Sequence, residues 1–385
     1  VKPQLWLVGA ASTSCAAVKP FSAQRKASTA MVKTAFAFGV AVGVSGKLMR
    51  GGQPMGVDTF PGYVESVKTG PGVWKWNNAL MAYERHLAHL KGQKSAVTEV
   101  GVQSGGSIQM WQKVLGPQCY VYAMDINPKC QIFEGPTVKV AIGSQSDPTV
   151  WDNFFASVVP PPHQLDFLCD DGAHEPQPML QTTYSGYPHL APGGILAIED
   201  IHGAHYLSTW WEPLAAYLGS PVTAQTLGAV HLYAYLVLMR KAGGPAPLFD
   251  PSAAPGANIP ATGRISEVNQ IAGAIASAPG GSLVVLENPT WPSMFNVHGL
   301  TYLFQAFNEL HAPKAMPDSP PGCAHTNDSV CTSGTTNSDM QNRVAAVHIL
   351  PHRVVVEIAQ SPPIIAAVRH GTEWVPVHSI AESGR

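Results

Sequence analysis

Charge is scarce in this chain: Asp, Glu, Lys and Arg make up 12% of its 385 residues, and the formal net charge is −2. Nucleic-acid binding relies on clustered basic side chains, so this balance argues against a nucleic-acid partner. The six cysteines include no Cys-x-x-Cys pair. That excludes a zinc signature and a dense disulfide framework, and buried thiols are expected instead. Acidic residues are missing altogether from Val1 to Val57, a stretch with seven Lys or Arg and much Ala, Ser, Thr and Val. This is the bias of a targeting or processing segment, which points toward a secretory or organellar route. Its apolar stretch TAFAFGVAVGVSG has 13 residues between Lys33 and Lys47, short of the roughly 20 that cross a bilayer. A signal core, a transit segment and a buried helix all suit it, and membrane association stays open.

What is present is ample apolar matter, 45% of the chain, and a length that allows two or three domains at about 100 to 200 residues each. The 36 Gly and 34 Pro imply long loops. The chain is organised around EVGVQSGGS, Glu99 to Ser107. SAVTEV before it is strand-like, and SIQMWQKVL after it has helical apolar spacing. Glycines at 101, 105 and 106 permit a tight turn and the close approach of a bulky ligand at a helix start. A second strand, CYVYAMD, ends in Asp125, where a carboxylate can accept both hydroxyls of a ribose.

The third strand, VKVAIG, leads to SQSDPTVWDNFF, in which Asp147 suits an N-cap and Pro148 the first helical position. Ligands of open parallel sheets sit beyond the carboxyl ends of the strands, so Ser144, Gln145 and Asp147 are placed for an adenine. The next two strands, LDFLCDDGAH and GGILAIEDIHG, each end in a pair of acids followed by a histidine. Carboxylates gathered at one sheet edge repel one another unless a proton or a cation intervenes. Oxygen-rich, thiol-poor ligation favours Mg²⁺, with Mn²⁺ and Ca²⁺ as alternatives, over zinc. His174, three residues after Asp171, can face the same cavity and act as general base toward a hydroxyl.

The glycine spacing is GxxxGG, not the dinucleotide fingerprint GxGxxG, and it resembles motif I of class I S-adenosylmethionine-dependent methyltransferases. More narrowly, EVGVQSGGSIQMW, DINPKC, IGSQSD, DDGAH and PGGILAIEDIH occur in an order that resembles the metal-dependent macrolide sugar O-methyltransferases. The cephalosporin hydroxylase and rhamnosyl O-methyltransferase group is similar over the same span, roughly Trp74 to Ala242. This resemblance implies an α/β fold, a Rossmann-like seven-stranded methyltransferase sheet with helices on both faces. It implies S-adenosylmethionine and Mg²⁺ as cofactors and a hydroxyl of a sugar, glycan or glycosylated small molecule as acceptor. Donor contacts would come from Glu99, Gly101, Gln103, Ser104, Gly105, Ser107, Asp125, Ile126, Ser144, Gln145, Asp147 and Asp170. Asp171, Glu199 and Asp200 would hold the metal, and His174 would be the base. His202 matches a histidine of the family, whereas His205 has no clear counterpart. VWKWNNALMAYERHLAHLKG reads as a helix entering the core. Trp76, Tyr83 and His86 on it are candidates for a cofactor lid, with plain packing on the first strand as the alternative. A non-catalytic scaffold that keeps the fold is the rival reading of the whole chain.

Boundaries follow: an N-terminal extension over 1–57, a methyltransferase domain over 58–242, a Pro/Gly linker over 243–262 and a C-terminal α/β accessory domain over 263–385. In the last, ASAPGGSLVVLENPTW echoes HLAPGGILAIEDIHG, and AAVHILPHRVVVEI echoes GAVHLYAYLVLM. These echoes suggest a degenerate copy of the back half of the sheet, with Glu287 and Asn288 where the first has Glu199 and Asp200. An unpaired half-sheet cannot bury its own faces, so it should pack on the catalytic domain or on another subunit. A polar insertion carries Cys323 and Cys331, close enough in sequence for a disulfide, and an Asn327 sequon.

Overall fold

Strands and helices alternate from Val73 to Leu218, and hairpins of consecutive strands stand before and after that stretch. The computed structural model describes residues 49–50, 53–54, 56–201, 206–244, 264–265, 271–287, 343–351, 353–361, 363 and 365–375. The expectations for the N-terminal segment, His202, His205, Asn288 and the insertion with Cys323, Asn327 and Cys331 lie outside these residues. A short hairpin, β1 (Met49–Arg50) and β2 (Gln53–Pro54), precedes α1 (Phe60–Ser66), whose first turn is capped by Thr59 Oγ1 accepting from Gly62 N at 3.1 Å. Next come β3 (Val73–Trp76) and α2 (Asn77–Leu87). The expected single helix through VWKWNNALM is therefore corrected at its start. Val and Trp favour extended backbone, and a strand from the other end of the chain, β15 (Ala367–His370), pairs antiparallel with β3 and places Val368 opposite Lys75.

The main sheet is laid down by β4 (Ser95–Val100), α3 (Gly106–Leu115), β5 (Cys119–Asp125), β6 (Val138–Ile142), α4 (Pro148–Asn153), β7 (Leu165–Asp170), α5 (Pro176–Gly186) and β8 (Leu190–Ile198). After them come α6 (Glu212–Leu218), α7 (Pro221–Thr226) and the hairpin β9 (Leu227–Tyr233) and β10 (Leu236–Lys241). The remaining elements are β11 (Arg264–Ile265), α8 (Ile271–Ser277), β12 (Leu283–Glu287), β13 (Val344–Leu350) and β14 (Arg353–Ile358). Across the sheet the order is β11-β12-β14-β13-β9-β10-β8-β7-β4-β5-β6. From β8 to β6 all neighbours are parallel, so every one of these strands ends at the same edge. Strands covered on both faces need apolar residues at consecutive positions. β7 shows this: Phe167 and Cys169 enter the core under α1, α2 and α3, while Leu165 and Leu168 enter the opposite one with Trp151, Trp210 and Trp211.

The C-terminal strands do not form a separate sheet. β13 pairs antiparallel with β9, with His348 opposite His231, and extends the same sheet to eleven strands. At this junction His231 Nδ1 and His348 Nδ1 share a hydrogen bond of 2.9 Å, and His86 Nε2 is 2.8 Å from the Tyr233 hydroxyl. His86 is buried and its ring lies against His231. It is thus a packing residue of the sheet junction and no part of a cofactor lid. Beside it, the Arg85 guanidinium donates to both oxygens of Glu357 at 3.2 and 3.1 Å. Cys119, Cys130 and Cys169 are buried free thiols, as expected, and among the described residues no helix is long and apolar enough to cross a membrane.

The Arg85–Glu357 pair ties α2 to β14, and its worth can be read from pH. Burial alone would raise the Glu357 carboxyl, but Arg85 and then His348 outweigh it and bring the value from 4.5 down to about 2. A depressed carboxylate stabilises fully above its unfolded value and loses that contribution as pH falls through its folded one, here between about 4.5 and 2. A shift of this size corresponds to about 3 kcal/mol. Urea unfolding of Glu357→Gln should therefore show a loss of about 2 to 3 kcal/mol at pH 7 that narrows toward pH 3. A gap that stays constant with pH would mean that the ion pair contributes nothing.

Candidate active site

The parallel strands bring the glycine turn and the acid pairs to one edge. Gly101, after β4, has φ +92, and a Cβ there would lie 2.1 Å from the Asp171 carbonyl oxygen. The turn after β4 and the turn after β7 are therefore in backbone contact, and only glycine fits between them. Gly105 also has positive φ and lies against the Phe133 ring, while Gly106, opening α3, lies against the backbone of Gly72 just before β3. Asp125 accepts from Val102 N and Gln103 N through Oδ2, at 2.7 and 3.0 Å, and from Asn127 N through Oδ1 at 2.7 Å. Its carboxylate thus holds the glycine turn in shape.

Beyond the turn, the acids divide into two groups. The inner group surrounds Lys75 of β3, which is 2% exposed. Its ammonium is 3.3 Å from Glu99 Oε1, 2.6 Å from Asp171 Oδ2 and 2.8 Å from Glu199 Oε1. Glu199 Oε1 also accepts from the Tyr83 hydroxyl at 2.5 Å and Cys169 Sγ at 3.2 Å, and Glu99 Oε2 accepts from Trp111 Nε1 at 2.6 Å. Burial opposes the charge on Lys75, but Asp171 and Glu199 outweigh it and raise its pKa, so the ammonium keeps its proton. Burial pushes Glu199 up to about 7 and Asp171 up to about 6, each against the pull of Lys75. One ammonium does not satisfy this many buried carboxylates.

The outer group is Asp171, His174 and Asp200. One donor atom from each lies within 4.8 Å of the others. His174 Nε2 is 3.4 Å from Asp200 Oδ2 and 3.9 Å from Asp171 Oδ1. Desolvation disfavours imidazolium at this position, yet Asp200 and Asp171 prevail and raise the His174 pKa. Both His174 (φ +49) and Asp200 (φ +58) hold left-handed backbone, unusual for residues with a Cβ and frequent where a site fixes its side chains. Tyr206 donates to the His174 carbonyl at 2.6 Å, and Trp76 Nε1 donates to Asp200 Oδ1. Two carboxylates and an imidazole around one small space fit a divalent cation with oxygen preference.

Several expected donor contacts sit elsewhere. Glu99 is fully buried between Lys75 and Trp111, and Asp170 is buried beneath Gln145, whose Nε2 donates to both its oxygens at 3.0 and 2.9 Å. Gln145 Oε1 accepts from Ala173 N at 2.8 Å, so this side chain braces the DDGAH turn and does not face an adenine. Asp147 caps α4 through Thr149 N, as its place before Pro148 predicts, and this role is compatible with a donor contact. The Ser104 hydroxyl accepts from Val375 N at 2.9 Å, which docks the segment after β15 on the glycine turn. Gly101, Gln103, Gly105, Asp125, Ile126 and Ser144 lie at or just after the ends of β4, β5 and β6, whereas the Ser107 hydroxyl is hydrogen-bonded to the buried Glu99 carboxylate. Glu199, expected as a metal ligand, turns inward to Lys75. Lys75 itself escaped the sequence reading, although a lysine between two tryptophans in a strand-prone run was the available signal. Tyr83, expected as a lid, is instead a buried partner of Glu199. Trp76 does border the outer group, packed on Tyr235 with ring centroids 4.6 Å apart.

No family model matches the chain. It is 28% identical over 148 residues to 8-demethyl-8-alpha-L-rhamnosyl tetracenomycin-C 2'-O-methyltransferase of Streptomyces olivaceus, covering 37% of this chain and 38% of that protein. Over 131 residues it is 28% identical to demethylmacrocin O-methyltransferase of Streptomyces fradiae and 29% identical to mycinamicin VI 2''-O-methyltransferase of Micromonospora griseorubida, covering 32% of this chain each time and 32% and 31% of those proteins. The chain spans about a third of the length of these curated relatives. Among solved structures, the MycE methyltransferase from the mycinamycin biosynthetic pathway, in complex with Mg and SAH, is 23% identical with a TM-score of 0.38, over 44% of this chain and 52% of that one. Over this part of its length the chain is similar to sugar O-methyltransferases, and its described residues form an α/β fold in which helices flank a mixed sheet.

The contact between Gly101 and Asp171 gives a direct test of this site's construction. Gly116→Ala meets nothing nearer than 3.6 Å and should cost only the strain of its positive φ, about 1 to 3 kcal/mol. Gly101→Ala adds a backbone collision and should cost at least about 2 kcal/mol more in urea unfolding. Equal losses for the two variants would show that the turns do not touch.

Proposed function

We propose that this chain is an O-methyltransferase that depends on a divalent cation and transfers the methyl group of S-adenosylmethionine to a hydroxyl of a sugar, glycan or glycosylated small molecule. The observation that carries this reading is the shared wall. The glycine turn meets the Asp171 backbone directly, and the Asp171 side chain belongs to the outer group with His174 and Asp200. A sulfonium donor on the turn and a cation at the acids would thus lie side by side. The acceptor class rests on the sugar O-methyltransferases to which the core is similar.

In this reading Gly101, Gln103, Gly105, Asp125 and Ser144 line the donor's place, and Asp171 and Asp200 hold the cation. Mg²⁺ is commonly bound by one or two carboxylates with water completing the shell, so these two suffice. S-adenosylmethionine supplies an activated methyl group, and the cation supplies Lewis acidity that eases loss of the hydroxyl proton. His174 Nε2 takes that proton. Its side chain is 40% exposed, against 18% for Asp171 and 23% for Asp200, so it is the member that faces an incoming acceptor. His174 has to be neutral to act as the base, so activity should climb with pH as it loses its proton.

Methyl transfer from labelled S-adenosylmethionine to glycosylated acceptors, with and without EDTA, tests the activity. His174→Gln should lower kcat about 100- to 10,000-fold and remove the rising limb of the pH profile, while S-adenosylhomocysteine binding by calorimetry stays unchanged. A wild-type chain that binds neither S-adenosylhomocysteine nor Mg²⁺ would sink the enzyme reading in favour of a scaffold.

We infer in addition that the seven strands from β6 to β9 are the catalytic sheet of residues 58–242, and that residues 263–385 are a degenerate copy of its back half. The registers support this. In β9 and β10, His231 is opposite Leu238, which is opposite Ala197 of β8; in β13 and β14, His348 is opposite Val355, which is opposite Val285 of β12. β11, α8 and β12 likewise repeat β7, α5 and β8 as a parallel pair joined by a helix. The two halves meet at equivalent residues, His231 and His348, in antiparallel strands, as the halves of a two-fold dimer would. Ile265 stands at the register position of Asp170, so this copy lacks the acid pair. An experimental structure with β12 shifted by one residue against β14 would break the correspondence.

A further inference from the structure

Lys75 occupies a place that the function proposed above does not explain. It stands on β3, outside the main sheet, and reaches acids from three different strand ends: Glu99 of β4, Asp171 after β7 and Glu199 after β8. A buried ammonium with three charged partners is costly to desolvate, and such groups persist where their geometry is fixed by the surrounding fold. Here the fixing comes from both sides. β15 pairs with β3 through Val368 opposite Lys75, and Gly72, just before β3, accepts the close approach of Gly106. The Arg369 guanidinium, next on β15, lies over the rings of Trp74 and Trp374, at 5.3 and 4.0 Å from their centroids.

We propose that Lys75 is a built-in cation and a positioning residue of the divalent-metal site: it keeps Glu199 for itself and fixes Asp171, so that only Asp171 and Asp200 serve the metal. The geometry makes the division. Lys75 takes Asp171 Oδ2, which leaves Oδ1 on the side of His174, 3.9 Å from its Nε2. Glu199 Oε1 is claimed three times over, by Lys75, Tyr83 and Cys169, and the residue is 1% exposed. Asp200, the next residue, turns the other way through its left-handed backbone and meets Trp76 and His174. The two adjacent acids after β8 thus go to two different cations, one covalently part of the chain. This inference rests on the cation reading above and narrows it.

Equilibrium titration of the full chain with Mn²⁺, followed by the electron paramagnetic resonance of the free ion, separates the cases without requiring turnover. Asp200→Asn should weaken Mn²⁺ at least about 10-fold, whereas Glu199→Gln, being no ligand, should change it by less than about threefold. Lys75→Met leaves unbalanced buried carboxylates and is expected to fold poorly, so the charge-balanced pair Lys75→Met with Glu199→Gln is the informative variant. It should melt cooperatively near the wild type yet bind Mn²⁺ about 10- to 100-fold more weakly, because Asp171 is no longer held. Wild-type affinity in that folded double variant would show that Lys75 positions nothing. A loss in Glu199→Gln equal to that in Asp200→Asn would make Glu199 a ligand and overturn the division. If the wild type itself bound no Mn²⁺, the cation reading of the preceding subsection would fall, and this inference with it.

Discussion

Carboxylates gathered at one edge of a parallel sheet have to be neutralised, and the rest of this structure is arranged around how that is done. Five acids, Glu99, Asp170, Asp171, Glu199 and Asp200, end or follow three neighbouring strands. Water cannot screen three of them, because Glu99, Asp170 and Glu199 are essentially unexposed. Lys75 answers for the inner acids, and Gln145 with the Gly172 N–H answers for Asp170. Asp171, shared with Lys75, and Asp200, which accepts from Trp76, have an imidazole between them and some access to solvent. The same repulsion that would destabilise the core leaves, at its outer margin, a group of side chains of the kind that suits a cation.

That arrangement depends on parts of the chain far apart in sequence. β3 delivers Lys75 and Trp76, and β3 is held in place by β15, nearly 300 residues later, as the link from Asn77 to Ala366 across 289 residues shows. Val375 then closes on Ser104 of the glycine turn. The C-terminal region is therefore wired to the site twice: once through the continuous sheet at His231 and His348, and once through β15. Covering the β9 edge also removes a row of unpaired backbone groups that would otherwise invite association.

Much of the core was legible in the sequence. Strand-like runs ending in Gly101, Asp125, Asp171 and Asp200 did arrive at one edge, because parallel strands joined by helices leave no other place for their carboxyl ends. Asp147 did cap its helix with Pro148 behind it. The echo between the β8–β10 and β12–β14 segments was visible as repeated apolar patterns, but apolar strands use few residue types, and only paired registers give such an echo weight. The assignments that moved were those of burial. Glu99, Gln145 and Glu199 look like ligands when written in a row, since a sequence shows which groups can bind and not which have already been claimed.

The sequence by itself determined the elements, their alternation and the kinds of chemistry at their ends, because apolar periodicity and turn residues act over a few neighbouring positions. Only the tertiary structure decided that VWKW is a strand and that its lysine enters the acid cluster. It also decided that Glu199 and Asp200 part company. These outcomes hang on contacts between segments 24 to 124 residues apart in the case of Lys75, where a 2.6 to 3.3 Å separation in a dry interior outweighs any local preference.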